Sequence, residues 1–498
     1  MLDDLRGDND RRIGTRSFAR MLGDWRPPDG RGLTAALADR VRLLVLDGRL
    51  PLQVRVPAER ELAAALAVSR TTVAAAYETL REAGILHSRR GAGSWTQLPA
   101  ASATAGTRPP FSPHGDRTLF DLAHAAPPAP STQLRAAAAL AVDDLDAHLG
   151  GHGYDLLGLP ALRSAVARRF TDRGLPTTPD QVLVTGGGMA AIALVLAALV
   201  SPGDRVLVEH PTYPNALDAV AARGARAVPV PLDLTTCGPD AWDLELVTAT
   251  VRDAAPRLAY LIPDHQNPTG ALLDDRGREQ LVALARRTAT PLLVDETVAE
   301  LTFEGRRAAP LAVHAADSPL VITVGSAAKV VWGGLRIGWI RTAAPLVRRI
   351  AALRAATDLG GPVLEQLLAA RLVDDLEPLV LARRAELADA RDHLLGVLGS
   401  GFPGWHPSRP SGGLSLWVDL GAPVSSRLVG AARSRDVLLA AGPRFGLAGA
   451  FERYLRLPYA LRRDRVEPAL DRLRTAWHSL DPAHPDAAHA DAEPTAVA

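Results

Sequence analysis

The chain of 498 residues holds one lysine, one cysteine and three methionines, and only 4% of it is aromatic. A lone Cys237 has no partner for an intrachain disulfide and cannot build a cysteine metal site. No stretch of about 18 residues escapes a charge or a turn former, so no membrane-spanning helix is expected. The opening MLDDLRGDNDRR is polar and partly acidic, unlike a secretory leader, and a cytoplasmic protein is the expectation. Excess charge is missing too: 56 Lys and Arg against 55 Asp and Glu give a net charge of +1. That average excludes a polycation but still allows a local basic module.

The scarcity of lysine carries the most information. Removing Lys329 from the 56 basic residues leaves 55 arginines, so wherever the chain needs a plain positive charge it uses guanidinium. Arginine stays protonated at any working pH, whereas a lysine amine can be desolvated, deprotonated and made to condense with an aldehyde. Lys329 lies in GSAAKVVWGGLRIGW, Gly325 to Trp339. One lysine alone decides nothing, so its neighbours must.

Length and a hydrophobic fraction of 47% point to two or three domains with a large core. Three segments read as low in order: about the first 30 residues, the Ala/Ser/Thr/Pro-rich stretch Thr96 to Asp116, and the tail from His484. The expected division is a module at 32–96, a linker at 97–117, a body at 118–479 and a disordered tail at 480–498.

In the module, a helix with Leu37, Val41, Leu44 and Val45 inward is expected to end near Gly48. A short helix follows over ERELAAAL, and another starts after Ser69 as N-cap, with Val73, Tyr77 and Leu80 inward. Two short helices joined by a tight turn are a helix-turn-helix pattern, and ILHSRRGAGSW can form a hairpin wing. Between Gly32 and Trp95 nine arginines face six carboxylates, a local excess of +3. Ser69, Arg70, Thr71 and Thr72 cluster where a recognition helix meets DNA.

The body alternates strand-like runs, QVLV at Gln181, RVLV at Arg205, RLAYLI at Arg257, PLLV at Pro291 and LVITV at Leu320, with helical patterns at 188–200, 214–223 and 274–289. The reading is an α/β fold with a mostly parallel sheet covered on both faces. Ligands in such sheets bind at the carboxyl ends of strands, where the unusual residues fall. Lys329 and Ser326 follow LVITV, with Arg336 seven residues beyond the lysine. Asp295 follows PLLV. Gly187, Gly188 and Met189 sit in TGGGMAAIAL, and Asn267 in QNPTG. Each alone is an ordinary turn or cap. Together they supply an imine-forming lysine, an acid for a ring nitrogen, a phosphate cradle and a donor to a phenolic oxygen, the needs of pyridoxal 5′-phosphate.

The stretch PAERELAAALAVSRTTVAAAYETLREAGIL with RRGAGSW resembles the winged helix of GntR-type regulators over 32–95. That likeness implies DNA contacts from Arg60, Arg70, Thr71 and Thr72, with Arg90 and Gly91 at the minor groove. Ala74 replaces an arginine found in some relatives. In the body the order GGG, PTY (Pro211 to Tyr213), NPTG, Asp295, SxxK, Arg336 resembles fold-type I aminotransferases along most of 120–478. It implies Tyr213 beside the cofactor, Tyr154 of GYDLLGLPALR reaching a partner subunit's phosphate, and Arg456 of YLRLPYA gripping a substrate carboxylate in a small α+β domain that also holds GGLSLWVDL. The fusion resembles the MocR regulators. It implies pyridoxal phosphate on Lys329, a head-to-tail homodimer, operator DNA, and an amino-acid-like or amine effector, with no membrane and no metal.

Three positions depart from the pattern. VDETVAEL carries Thr297 in place of a tyrosine near the phenolic oxygen, Gly188 stands for a serine, and Ala328 stands for a serine before the lysine. A lost hydroxyl costs ~0.5–1.5 kcal/mol, so cofactor affinity is expected to be lower but not lost. Two active readings share all these residues: a regulator sensing an amino compound, and an aminotransferase with a DNA-binding appendage. A third, a DNA-binding protein with an inert body, predicts no cofactor spectrum.

Overall fold

The computed structural model describes residues 12–23, 25–27, 32–46, 50, 54–89, 93–97, 119–447 and 449–480. In the N-terminal module, α1 (Thr15–Leu22), α2 (Leu33–Leu46), α3 (Glu59–Leu66) and α4 (Arg70–Glu82) precede an antiparallel pair, β1 (Leu86–Arg89) and β2 (Gly93–Thr96), with Leu86 opposite Thr96. Leu37, Val41, Leu44 and Val45 of α2 meet Val73, Tyr77 and Leu80 of α4 in one buried cluster. Ala67 takes a left-handed conformation at φ 48° and stops α3, so that α4 restarts at a new angle three residues later. Ser69 caps it, its Oγ accepting from the Thr72 N–H at 3.0 Å.

One expectation fails here. The first 30 residues are not uniformly low in order, because Thr15–Leu22 is helical and Phe18 and Leu22 are fully buried in the module core. Two apolar residues four apart in an arginine-rich stretch give little periodic signal, yet they suffice once a groove exists to take them.

The body is built on a seven-stranded sheet. In chain order its strands are β4 (Val182–Thr185), β5 (Arg205–His210), β6 (Arg226–Pro231), β7 (Leu258–Leu261), β8 (Leu292–Asp295), β9 (Val321–Ser326) and β10 (Gly338–Arg341). Their spatial order is β4-β10-β9-β8-β7-β5-β6, and only β10 runs against its neighbours. Both faces are covered, as the continuous apolar runs require. Leu183, Val206, Val208, Leu293 and Ile322 face one core, while Val184, Leu207, Leu292, Val294 and Val321 face the other. This period of two is what sends Asp295 and Tyr260 to the same side.

A five-stranded sheet forms the small domain, in the order β11 (His406–Pro407), β12 (Ser415–Asp419), β14 (Tyr454–Pro458), β13 (Val437–Ala441) and β3 (Phe120–Leu122). Its outer strand β3 comes from the very start of the body and pairs parallel with β13. The residues after β3 therefore pass close to the strand that carries Arg456.

Candidate active site

The candidate residues converge because their strands are parallel: β4, β5, β7, β8 and β9 all end at one edge of the large sheet. There a cleft of about 180 Å³ is lined by Gly188, Met189, Tyr213, Asn267, Asp295, Thr297, Ser326, Lys329 and Arg336, among others. Gly187 lies at its margin as N-cap of the helix Gly188–Leu199.

Lys329 leaves β9 through one wide helical turn, Ala328–Trp332, and its Nζ donates to the Ala125 carbonyl at 2.9 Å. Burial, and then the positive charge of Arg456, push its amine from the ordinary 10.5 down to about 8, while Asp295 opposes the shift. Asp295 is 5% exposed and ends β8. One of its oxygens accepts from the Tyr260 hydroxyl at 2.8 Å and the other from the Thr297 N–H at 3.0 Å. Tyr213 holds its phenol against Asn215 Nδ2 at 2.9 Å, and burial pushes the phenol up to about 12.

At the helix start, Gly187 sits at φ 100°, and a Cβ there would come within 2.8 Å of the Arg336 guanidinium. Arg336 is itself left-handed at φ 53°, and its Nη2 donates to the Gly186 carbonyl at 2.7 Å. An arginine and free helical N–H groups thus share one glycine-lined corner, a place for an anion. Ser326 lines the cleft, but its hydroxyl already donates to the Ile337 carbonyl at 3.1 Å and accepts from the Ala328 N–H at 3.1 Å. The replaced residues Gly188 and Thr297 turn out to be neighbours. A Cβ on Gly188 would stand 3.2 Å from the Thr297 methyl, so the bare glycine makes room for it.

Arg456 is completely buried and lies just behind the cleft wall, its Nη1 donating to Asn267 Oδ1 at 3.3 Å and its Nη2 to the Ala123 carbonyl. Its guanidinium stacks 5.0 Å from the Phe445 ring. Among the described residues it has no carboxylate partner, and its buried Nε makes no hydrogen bond. Burial pushes it down to about 10. Tyr154 is not brought into this cleft: it is 64% exposed and stacks on His152.

Two residues that the sequence did not single out support the cleft from below. Tyr260 orients Asp295, as described. Glu209, 1% exposed at the end of β5, accepts from Trp242 Nε1 at 2.9 Å, from Gln266 Nε2 at 3.1 Å and from the Ile262 N–H. It thereby fixes the Gln266–Asn267 turn. With no cation beside it, burial pushes Glu209 from 4.5 up to about 7. A raised carboxylate makes the folded state bind its proton more tightly, so the contribution of Glu209 to stability is full below pH 4.5 and is lost as pH rises to about 7. Denaturant titrations at pH 5 and pH 8 are expected to show this loss in the wild type and a smaller one in Glu209→Gln. An equal loss in both would refute the assignment.

In the N-terminal module Arg60, Ser69, Arg70 and Thr71 are exposed and Thr72 is half-buried. Ser69 Oγ lies 2.7 Å from the Thr71 hydroxyl, and Arg70 Nε 3.5 Å from Glu59. Arg90 and Gly91 lie outside the described residues.

The family of aminotransferases of class I and II matches residues 118–473. The chain belongs to that family. The bacterial regulatory proteins of the gntR family match residues 33–95, in front of the aminotransferase body. Similar proteins include the HTH-type transcriptional regulator YisV of Bacillus subtilis, 25% identical over 80% of this chain and 86% of that protein. The probable rhizopine catabolism regulatory protein MocR of Rhizobium meliloti is 31% identical over 61% of this chain and 64% of its own. Among solved structures, the α-aminoadipate aminotransferase LysN of Thermus thermophilus, complexed with N-(5′-phosphopyridoxyl)-L-leucine, superimposes with a TM-score of 0.67 at 27% identity, covering 73% of this chain and 93% of LysN. This aminotransferase-family chain is therefore a MocR-type transcription regulator, a DNA-binding module fused to an aminotransferase-like body. Its cleft fits pyridoxal phosphate chemically: a lone amine lowered toward neutrality, a carboxylate locked by two donors, a glycine corner closed by arginine, and an orphaned guanidinium nitrogen. Among the described residues no helix is long and apolar enough to cross a membrane, and no cluster of metal ligands occurs.

Proposed function

We propose that this cytoplasmic regulator holds pyridoxal 5′-phosphate and uses it to read an amino-acid-like or amine effector, changing how a homodimer sits on its operator. The observation that carries the reading is the gathering of the chain's only lysine, lowered to about 8, with Asp295, Arg336 and the Gly187 corner around one cleft. The cofactor supplies an aldehyde for the lysine amine and a ring that withdraws electrons. Lys329 provides that amine. Asp295, oriented by Tyr260, keeps a proton on the ring nitrogen. Arg336 and the helix start hold the phosphate, Asn267 donates to the phenolic oxygen, and Tyr213, Met189 and Thr297 wall the ring. Arg456 takes the effector carboxylate. The exposed position of Tyr154 supports a head-to-tail dimer, in which it would complete the partner's phosphate site. On the other module, Ser69 to Thr72 with Arg60 face the DNA, where rigidity comes from the Ser69 cap.

The test is direct. Purified protein is expected to absorb at the violet edge of the visible range, and borohydride should remove the band. Amino compounds that shift the band should also change mobility of an operator fragment. A colourless protein that cannot be reconstituted overturns the reading. Repeated turnover with a keto-acid acceptor, without any effect on DNA binding, would favour the aminotransferase alternative.

A further inference from the structure

Between β3 and the helix Ser131–Asp144 the chain runs as a strap, Ala123 to Pro130, along the cleft. Ala125 and Ala126 form part of the cleft wall. The strap is pinned at both ends. Before it, Phe120 lies between the guanidinium groups of Arg465 and Arg472, at 4.6 and 4.8 Å, and the Leu119 carbonyl accepts from Arg465 at 2.9 Å. Near its end, the Pro128 carbonyl accepts from Arg383 at 2.8 Å. A tight turn sets its entry, with Asp121 Oδ1 accepting the N–H groups of Ala123 and His124 at 2.9 and 3.0 Å, and Oδ2 2.7 Å from the His124 ring.

Between these pins, two backbone carbonyls meet the two groups on which the proposed chemistry depends. Ala125 accepts from Lys329 and Ala123 from Arg456. We infer that the strap is a built-in competitor for the effector's carboxylate: the Ala123 carbonyl occupies Arg456 until a carboxylate displaces it, so the site admits amino acids in preference to simple amines. The inference rests on the proposed cofactor-bound reading of the cleft.

The physical argument is one of unequal acceptors. Arg456 is a fully buried cation that touches no carboxylate among the described residues, with Asp121 acting on it only from a distance; a peptide carbonyl and an amide oxygen serve it directly, and its Nε is unserved. A charged acceptor makes roughly twice as strong a hydrogen bond as a neutral one, and a carboxylate can engage two N–H groups of the guanidinium together. A carboxylate therefore wins the exchange, whereas an amine has nothing to offer Arg456 and leaves the strap in place. Because Arg456 has no exposed surface, no carboxylate can reach it while Ala123 stays. The Ala125 contact would be released separately, because a Lys329 nitrogen engaged by the cofactor would keep at most one N–H in place of the three of a free ammonium. The pinned ends confine the movement to the few residues between them.

The experiment uses the full-length chain freed of cofactor and two stable probes, N-(5′-phosphopyridoxyl)-L-leucine and its decarboxylated counterpart N-(5′-phosphopyridoxyl)-3-methylbutylamine. Binding of each is measured by calorimetry to wild type, Asp121→Ala and Asp121→Asn. The alanine variant loses the turn, while asparagine keeps the Oδ1 acceptor and loses only the charge that faces Arg456. Asp121→Ala is expected to bind the leucine probe about three- to tenfold more tightly, the worth of one released hydrogen bond, with the amine probe and the asparagine variant changed less than about twofold. In the wild type, hydrogen exchange of peptides spanning 119–130 should rise with the leucine probe and not with the amine probe. Equal effects on both probes, matching effects of alanine and asparagine, or unchanged exchange would overturn the strap while leaving the cofactor reading intact. Failure of both probes to bind the wild type would overturn that reading, and the strap with it.

Discussion

Lys329→Ala is expected to abolish the near-visible cofactor band completely and to leave no borohydride-trapped adduct on the protein by mass spectrometry, while the fold and operator binding by the N-terminal module persist. The expectation follows from uniqueness as much as from position. No other amine of a side chain exists in the sequence to substitute for it. At its depressed value of about 8, about one such group in ten is neutral at pH 7, against about three in ten thousand at the ordinary value. Only the neutral amine attacks an aldehyde, so burial raises the reactive fraction by roughly two orders of magnitude. The sign fixes the pH profile: the rate of cofactor capture should climb with pH up to about 8 and then level, instead of climbing to 10.5. Lys329→Arg keeps a cation in the same place and should be as colourless as the alanine variant. A trapped adduct on any other residue, or a coloured Lys329→Arg protein, would defeat the assignment.

What the sequence disclosed follows a physical rule. Asp295, Ser326 and Lys329 were legible because parallel strands read as short apolar runs, and a polar residue directly after such a run must lie at the sheet edge. The five strand runs and the three helical patterns of the large sheet appear where periodicity put them. Tyr260 was not legible, since a tyrosine inside RLAYLI looks like any core aromatic until its hydroxyl is seen on Asp295. Glu209 was hidden the same way, as a carboxylate at the end of an ordinary strand whose partners Trp242 and Gln266 lie 33 and 57 residues away. The strap was beyond reach for a deeper reason. Its acting groups are carbonyls of two alanines, and a backbone carbonyl leaves no mark on residue type. Long-range pairing also escaped, as with β3, which joins a strand more than 300 residues later. Thr297 and Gly188 read as two separate losses in the sequence and are one packed contact in space.

Arg278→Ala should lower the stability of the aminotransferase-like body by ~3–5 kcal/mol, the cost of stranding a buried carboxylate. Arg278 and Asp264 have no exposed surface, and the guanidinium reaches both oxygens of Asp264 at 2.8 and 3.3 Å. It also serves the carbonyls of Pro263, Leu273 and Ala309, so a single side chain ties the segment after β7 to the helix Asp275–Thr288. Removing it leaves Asp264 buried without its cation and takes a donor from three carbonyls, of which Pro263 keeps the Leu273 N–H. Asp264 must then take up a proton or pull toward water. Either response disturbs His265, Gln266 and Asn267, which follow directly and line the cleft. Calorimetry should therefore show the body's transition at a distinctly lower temperature, with weaker cofactor binding by the folded fraction. Asp264→Asn with Arg278→Met, which removes both charges together and keeps much of the volume, should recover a large part of the loss, because the cost lies in the unpaired charge and not in the pair. If Arg278→Ala instead stays within about 1 kcal/mol of the wild type, the loop is held by its surrounding backbone hydrogen bonds and the pair contributes little.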